Sequence, residues 1–262
     1  MPSNISNRAI IEDGAQIGEN VEIGANVFIS SESKIGDGTK IAVGACIYGK
    51  TTIGKNNNIF SYAVLGSIPQ DLKFNGEDVE LIIGDNNTIR EFTLFNPGTE
   101  GGGSKTIIGN GNLFMGYTHV AHDCIIGDNG IFANAATLAG HVIIGNNAVV
   151  GGMTPVHQFV TIGDFAMVAG ASALSQDVPP FCMVEGNRAL LRGLNLTGLR
   201  RSMERSDIDA LKSAYRELFE SGKALKETAQ DIINITENKY VKQLAQFVLN
   251  TKRGIAFERK DK

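Results

Sequence analysis

The sequence predicts an all-β parallel β-helix over residues 1–190, with extruded loops, followed by a helical C-terminal domain over 191–262. Three observations carry that reading. Apolar residues recur at every sixth position through most of the chain, glycine often follows them, and near Leu174 the period gives way to helical spacing.

The period runs from Ile11 through Ile17, Ile23, Ile29, Ile35, Ile41, Ile47, Ile53 and Ile59 to Leu65, and resumes at Ile83, Ile89 and Phe95. After a shift of one residue it continues from Ile108 through Phe114, Val120, Ile126, Phe132, Leu138, Ile144, Val150, Val156, Ile162 and Val168 to Leu174. A helix repeats every 3.6 residues and an ordinary strand every 2, so neither gives a strict six. One short strand plus one turn does, and three such hexads close a triangular coil whose apolar residue stacks on its equivalent in the next coil. Gly, Asn and Asp beside the apolar residue supply the tight and left-handed turn conformations.

Composition agrees. The 262 residues include 31 Gly but no Trp, and only 7% are aromatic, which suits repetitive turns better than a core of large rings. With 42% hydrophobic and 20% charged residues, the chain is neither disordered nor a coiled coil. Cys46, Cys124 and Cys182 are far apart and odd in number, which favours a reducing compartment. No stretch is apolar enough for a membrane span, and Met1–Arg8 lacks the features of a signal peptide, so a cytoplasmic location is expected.

Two interruptions break the period. Residues 68–81 place Asp71 and Glu77 where aliphatics are due, and residues 97–105, Pro-Gly-Thr-Glu-Gly-Gly-Gly-Ser-Lys, cause the one-residue shift. Both read as loops thrown out from the coil, the kind of segment that carries function on a rigid scaffold. Val178-Pro179-Pro180 marks the exit from the repeat. Ser206-Asp207 is expected to cap a helix bearing Ile208, Leu211, Ala214, Tyr215, Leu218 and Phe219 and ending at Ser221-Gly222, with further helices over 224–236 and 238–252.

The net charge of −4 conceals an asymmetry. Residues 188–262 carry 16 of the 24 Lys+Arg against 10 of the 28 Asp+Glu, leaving 8 basic and 18 acidic side chains for the rest. A local excess of +6 beside −10 suits either an acidic partner or a solvated helical face. Nucleic acid fits poorly, because overall basicity and interleaved stacking aromatics are missing.

All four histidines, His119, His122, His141 and His157, fall in one short stretch of the solenoid. His122 and His141 are 19 apart and His157 lies 16 further on, so the spacing predicts a stack of imidazoles up one edge of the prism. Such a cluster serves either as an interface feature or as chemistry. Three histidines can bind zinc, but the five-residue pair of the hexad carbonic anhydrases is absent, and no metal or cofactor is expected. Cys124 has neither the glycine-rich nor the helix-start setting of a nucleophile.

The hexads resemble the hexapeptide-repeat family, whose β-helix is left-handed and commonly trimeric. More specifically, His119-Val120-Ala121-His122-Asp123-Cys124, Ile68-Pro69-Gln70-Asp71-Leu72-Lys73, Leu138-Ala139-Gly140-His141 and Pro155-Val156-His157-Gln158-Phe159 resemble the bacterial UDP-N-acetylglucosamine O-acyltransferase family. Gln176-Asp177-Val178-Pro179-Pro180, Glu185-Gly186-Asn187 and Gly193-Leu194-Asn195 extend the likeness through nearly the whole chain, in order. It implies transfer of an (R)-3-hydroxyacyl chain from acyl carrier protein to a UDP-sugar, the first step of lipid A synthesis, by a homotrimer.

Residue by residue, the resemblance implies His122 as general base, Asp123 as its orienting partner and Gly140 as oxyanion donor. It implies substrate contacts from Gln70, Asp71, Lys73, His119, His141, His157, Gln158, Asn195 and Arg201, with Gly170 as a ruler that admits a longer acyl chain. A histidine titrating near neutral pH suits a weakly acidic sugar hydroxyl. Asn96-Pro97 stands where many members have His-Arg, and Thr197 and Ser202 replace a polar or charged pair near the nucleotide, which leaves both a hydroxyl and an amine acceptor open. Other readings are a sibling N-acyltransferase of the same pathway, which usually carries an extra N-terminal domain, and a non-catalytic assembly solenoid.

Overall fold

Each hexad becomes a two-residue strand and a turn. In Lys34–Ile35, Lys40–Ile41 and Cys46–Ile47 the first side chain faces outward and the isoleucine is buried. Successive strands fall on three faces in rotation, and each pairs in parallel with the strand three hexads on: Glu22 with Lys40, Phe28 with Cys46 and Lys34 with Thr52. The computed structural model describes residues 4–258, and within them the strands form one 11-stranded and two 8-stranded sheets. Residues 1–3 and 259–262 of the two expected domains lie outside the described residues.

The periodic residues fill the prism. Ile29, Ile47, Leu65, Phe95, Val120 and Leu138 line one face with no exposure. Each such burial is worth roughly 1.5–3 kcal/mol, so the stack is the main source of cohesion. One buried line is polar. Asn87 N–H donates to Asn57 Oδ1 and Asn112 N–H to Asn87 Oδ1, both at 2.8 Å, while the three side-chain amides donate to the carbonyls of Gly84, Gly109 and Gly127. Every member gives and receives, which is what permits polar groups at zero to 1% exposure.

Pairing across the two excursions explains their different effects on the period. Asn58 pairs with Thr88 rather than with the residue three hexads on, so the first loop adds two whole hexads and leaves the phase intact. Thr88 pairs with Leu113, so the second loop adds one hexad and one residue, and the phase shifts. The expected loop bounds are corrected at their ends: Glu80–Ile83 is a strand paired with Lys50–Ile53, and Lys105 opens the strand Lys105–Ile108.

Beyond Met167–Val168 the strand Cys182–Glu185 pairs parallel to it, and Leu190–Leu194 folds back antiparallel. Among the described residues four helices follow: α1 (Leu196–Leu199), α2 (Arg205–Phe219), α3 (Leu225–Ile235) and α4 (Lys239–Asn250). The expected cap of α2 is also corrected. The helix begins at Arg205, Glu204 occupies the cap without a side-chain hydrogen bond, and Asp207 sits in the first turn, accepting from Asn238 Nδ2 at 2.7 Å. The buried Asp177 carboxylate ties the last coil to the chain after α4, accepting from Thr161 N–H at 2.8 Å, Thr251 Oγ1–H at 2.6 Å and the N–H groups of Lys252 and Arg253 at 3.2 Å.

Candidate active site

One corner of the prism carries Asp123, His141 and Phe159, each one coil from the next and each with a left-handed backbone, φ 60°, 62° and 66°. His122, Gly140 and Gln158 hold the position before it, linked by hydrogen bonds from His141 N–H to His122 O at 3.0 Å and from Phe159 N–H to Gly140 O at 3.1 Å. Hexad geometry thereby brings His122, Asp123, Gly140 and His141 together. The Asp123 side chain is fully buried, and its Oδ2 accepts from His122 Nδ1–H at 2.7 Å, with His141 Nδ1 at 3.8 Å. A carboxylate can only accept, so His122 Nε2 is left free as the basic nitrogen.

Gly140 leaves room for this arrangement: a Cβ there would lie 2.5 Å from His122 Cε1 and 2.7 Å from Nε2. Its own N–H makes no hydrogen bond among the described residues. Burial, with help from nearby His122, holds the His141 imidazole below the usual histidine range, against the charges of Asp123 and Asp71. Burial likewise lowers His119, whose Nδ1 lies 3.0 Å from Leu94 O.

The expected stack of imidazoles is not what forms. Spacings of 19 and 16 each miss a coil of three hexads, so the four histidines occupy four different hexad positions. His141 stacks on Phe159, with centroids 4.4 Å apart at 7°, and meets His122 edge-on at 5.1 Å. His157 is exposed, its Nδ1 3.1 Å from Gln158 O, and Gln158 is exposed beside it. Asp71, on the first loop, accepts from Lys73 N–H at 3.0 Å and lies near enough to His141 to act on its charge, while Gln70 and Lys73 face solvent.

Other expected residues lie at the helical end of the chain. Asn195 is 6% exposed and caps α1, accepting from Gly198 N–H at 3.1 Å and donating to Phe165 O at 3.0 Å, so its amide is engaged within the chain. Arg201 is exposed on a cleft of about 460 Å³ shared with Arg200, Ser202, Lys239 and Tyr240. Gly170 would accept a Cβ at ordinary contact distance, 3.4 Å from Gly152 O.

Thr99 and Gly102 escape sequence reasoning, and Asn96, noted there only as a departure from the family pattern, anchors a loop. Thr99 donates to Asp123 twice, from its N–H to Oδ1 at 2.8 Å and from its hydroxyl to Oδ2 at 2.6 Å. Gly102 in the second loop lies against that carboxylate, where any Cβ would collide with Asp123 Cγ. Asn96, fully buried, donates to Ser67 O at 2.9 Å and Ile68 O at 3.1 Å, pinning the root of the first loop. Strict one-coil spacing would have found the His141–Phe159 stack; no sequence period reaches across an extruded loop to Thr99.

His122, Asp123 and His141 present ligand atoms within 4.8 Å of one another. The 2.7 Å contact is nonetheless shorter than the ~3.3 Å between two ligands of one tetrahedral zinc ion, and both carboxylate oxygens already accept hydrogen bonds. Buried Cys124 has its thiol pushed up to about 12, out of a nucleophile's range.

Comparison with known proteins places this corner in context. Residues 105–140 match the model of the bacterial transferase hexapeptide, and residues 177–256 match domain 2 of UDP N-acetylglucosamine O-acyltransferase. The acyl-[acyl-carrier-protein]--UDP-N-acetylglucosamine O-acyltransferase of Sulfurimonas denitrificans is 72% identical over 258 residues, spanning 98% of this chain and 99% of that one. The enzyme of the same name from Aliarcobacter butzleri is 67% identical over 98% of this chain and 100% of its own. Among solved structures, UDP-N-acetylglucosamine acyltransferase from Campylobacter jejuni superposes with a TM-score of 0.94 at 48% identity, covering 98% and 100% of the two chains. With solenoid, loops and helical tail matched end to end at such identity, the chain belongs to the UDP-N-acetylglucosamine O-acyltransferase family.

Proposed function

We propose that this chain moves an (R)-3-hydroxyacyl group from the thioester of acyl carrier protein to the 3-position of UDP-N-acetylglucosamine, the first step of lipid A synthesis, with His122 as general base. The observation that carries the catalytic assignment is the buried Asp123 carboxylate on His122 Nδ1 at 2.7 Å. It holds the imidazole in one orientation with Nε2 free. Nε2 takes the hydroxyl proton as the sugar oxygen bonds to the thioester carbon; the tetrahedral intermediate then collapses, the carbon–sulfur bond breaks, and the imidazolium returns the proton to the departing thiolate. The N–H of Gly140, beside the imidazole and without a hydrogen-bond partner among the described residues, supports its role as oxyanion donor.

On the same reading Gln70, Asp71, Lys73, His119, His141, His157, Gln158, Asn195 and Arg201 contact substrate. Gly170 serves as acyl ruler, a role supported by the room for a Cβ there at ordinary contact distance from Gly152. The solenoid winds left-handed, three chains assemble with the site between them, the protein works in the cytoplasm, and the helical domain from about residue 191 receives nucleotide and carrier protein.

Acyl transfer assayed with (R)-3-hydroxyacyl carrier proteins of several lengths, against UDP-N-acetylglucosamine and its 3-amino analogue, tests the reading. Product from wild type and a loss of at least a hundredfold in His122→Ala is expected. No product with any pair, or an unimpaired variant, would sink it.

A further inference from the structure

The catalytic pair does not stand alone. Asp123 is held by four hydrogen bonds: from His122 Nδ1–H, from Thr99 N–H and Thr99 Oγ1–H, and from its own N–H to Thr106 Oγ1 at 2.8 Å. Thr99 stands where the second loop leaves the coil, far from Asp123 in sequence, and is 7% exposed. The segment that carries it is fixed at its other end by Asn96, whose amide grips the root of the first loop at Ser67 and Ile68. Gly102, folded back by the turn from Gly102 N–H to Thr99 O at 3.0 Å, closes over the carboxylate.

We infer that Thr99 is a positioning residue for the transfer: its two donors fix the plane of the Asp123 carboxylate, and through Oδ2 they fix the direction of His122 Nε2. The inference rests on His122 being the base. Because the N–H and the hydroxyl of one residue reach different oxygens of one carboxylate, the carboxylate cannot rotate about its Cβ–Cγ bond without breaking at least one of them. A buried carboxylate held only by the imidazole would have that freedom. The hydroxyl donates to the same oxygen that holds His122, so the two contacts share one acceptor. Among the described residues the other titratable groups near the pair are His141, 3.8 Å from Oδ2, His119, the neighbouring Cys124 and, through His141, Asp71.

Thr99→Val keeps the shape and the N–H but removes the hydroxyl, and Thr99→Ser restores it. Valine is expected to lower kcat roughly tenfold to a hundredfold, the range for loss of a partner behind a functional imidazole, with KM for either substrate within about twofold. Serine should restore kcat. Nitrogen-15 NMR of the histidines gives a reading independent of turnover: the His122 Nδ1–H resonance should be sharp in wild type and Thr99→Ser and exchange-broadened in Thr99→Val. A valine variant with wild-type kcat or an unaltered Nδ1–H signal overturns the inference. So does a slow valine variant that serine fails to rescue, whatever its melting temperature. Inactive wild type would overturn the proposed function instead, and the NMR comparison would still decide whether Thr99 fixes the pair.

Discussion

At the scale of single residues, the candidate site depends on what is missing as much as on what is present. Gly140 stacks one coil beyond His122, and a methyl group there would lie 2.5 Å from the imidazole. Its backbone is not left-handed, so Gly140→Ala meets no backbone strain and must act by displacing the ring. We expect kcat to fall on the order of a hundredfold, as for a displacement of about 1 Å at a reacting group. The melting temperature should stay near wild type, since His122 can swing toward solvent; an unchanged kcat would remove Gly140 from the site. The same logic at Asp123 explains Gly102 of the second loop, where a Cβ would collide with the carboxylate, while the neighbouring Gly103 is required by its left-handed backbone, φ 98°.

Among elements, the coil is the unit that matters, and its buried asparagine line is the most exposed to substitution. Asn87→Leu would strand Asn112 N–H and Gly109 O in the interior, at a cost of roughly 2–4 kcal/mol. Denaturant unfolding should show a loss of that size, whereas a loss under about 1 kcal/mol would mean water enters the coil. The coils themselves were legible from Ile11 onward because burial demands an apolar residue at each inward position, and the helices α2 to α4 because their spacing is helical. What stacks on what demanded the coil length to the residue: spacings of 19 and 16 were close to a turn but landed the histidines on different positions. Thr99 and Gly102 were illegible for a different reason. They reach the His122–Asp123 pair through extruded chain, where no repeat fixes the partner.

For the whole molecule, charge separates the two ends. Arg205, Asp209, Lys212 and Arg216 lie on one face of α2, and Asp209 partly neutralises it through ion pairs with Lys212 at 2.8 Å and Arg205 at 3.8 Å. Arg192 pairs loosely with Glu258 at 3.8 Å, whereas Arg200, Arg201 and Arg216 show no ion pair among the described residues. If this surface steers the acidic carrier protein, KM for the acyl donor should rise several-fold as the Debye length shrinks from about 10 Å at 0.1 M to about 3 Å at 1 M salt, with little change for the nucleotide sugar. A donor KM indifferent to salt would assign the charge to solvation alone. The regular register of the coils carries one more consequence. Gly116 shares its coil with His122, and the bonds from Ala135 N–H to Gly116 O, Met153 N–H to Asn134 O and Ala171 N–H to Gly152 O place Gly170 three coils further on. Strands stack at about 4.8 Å, so the proposed ruler stands roughly 14 Å along the axis from His122, and one coil spans roughly four methylene groups. Selectivity built on such a scaffold is graduated: moving the blocking side chain from one rung to the next changes the accepted acyl chain in steps of about four carbons, with finer adjustment left to the bulk of the side chain on a given rung.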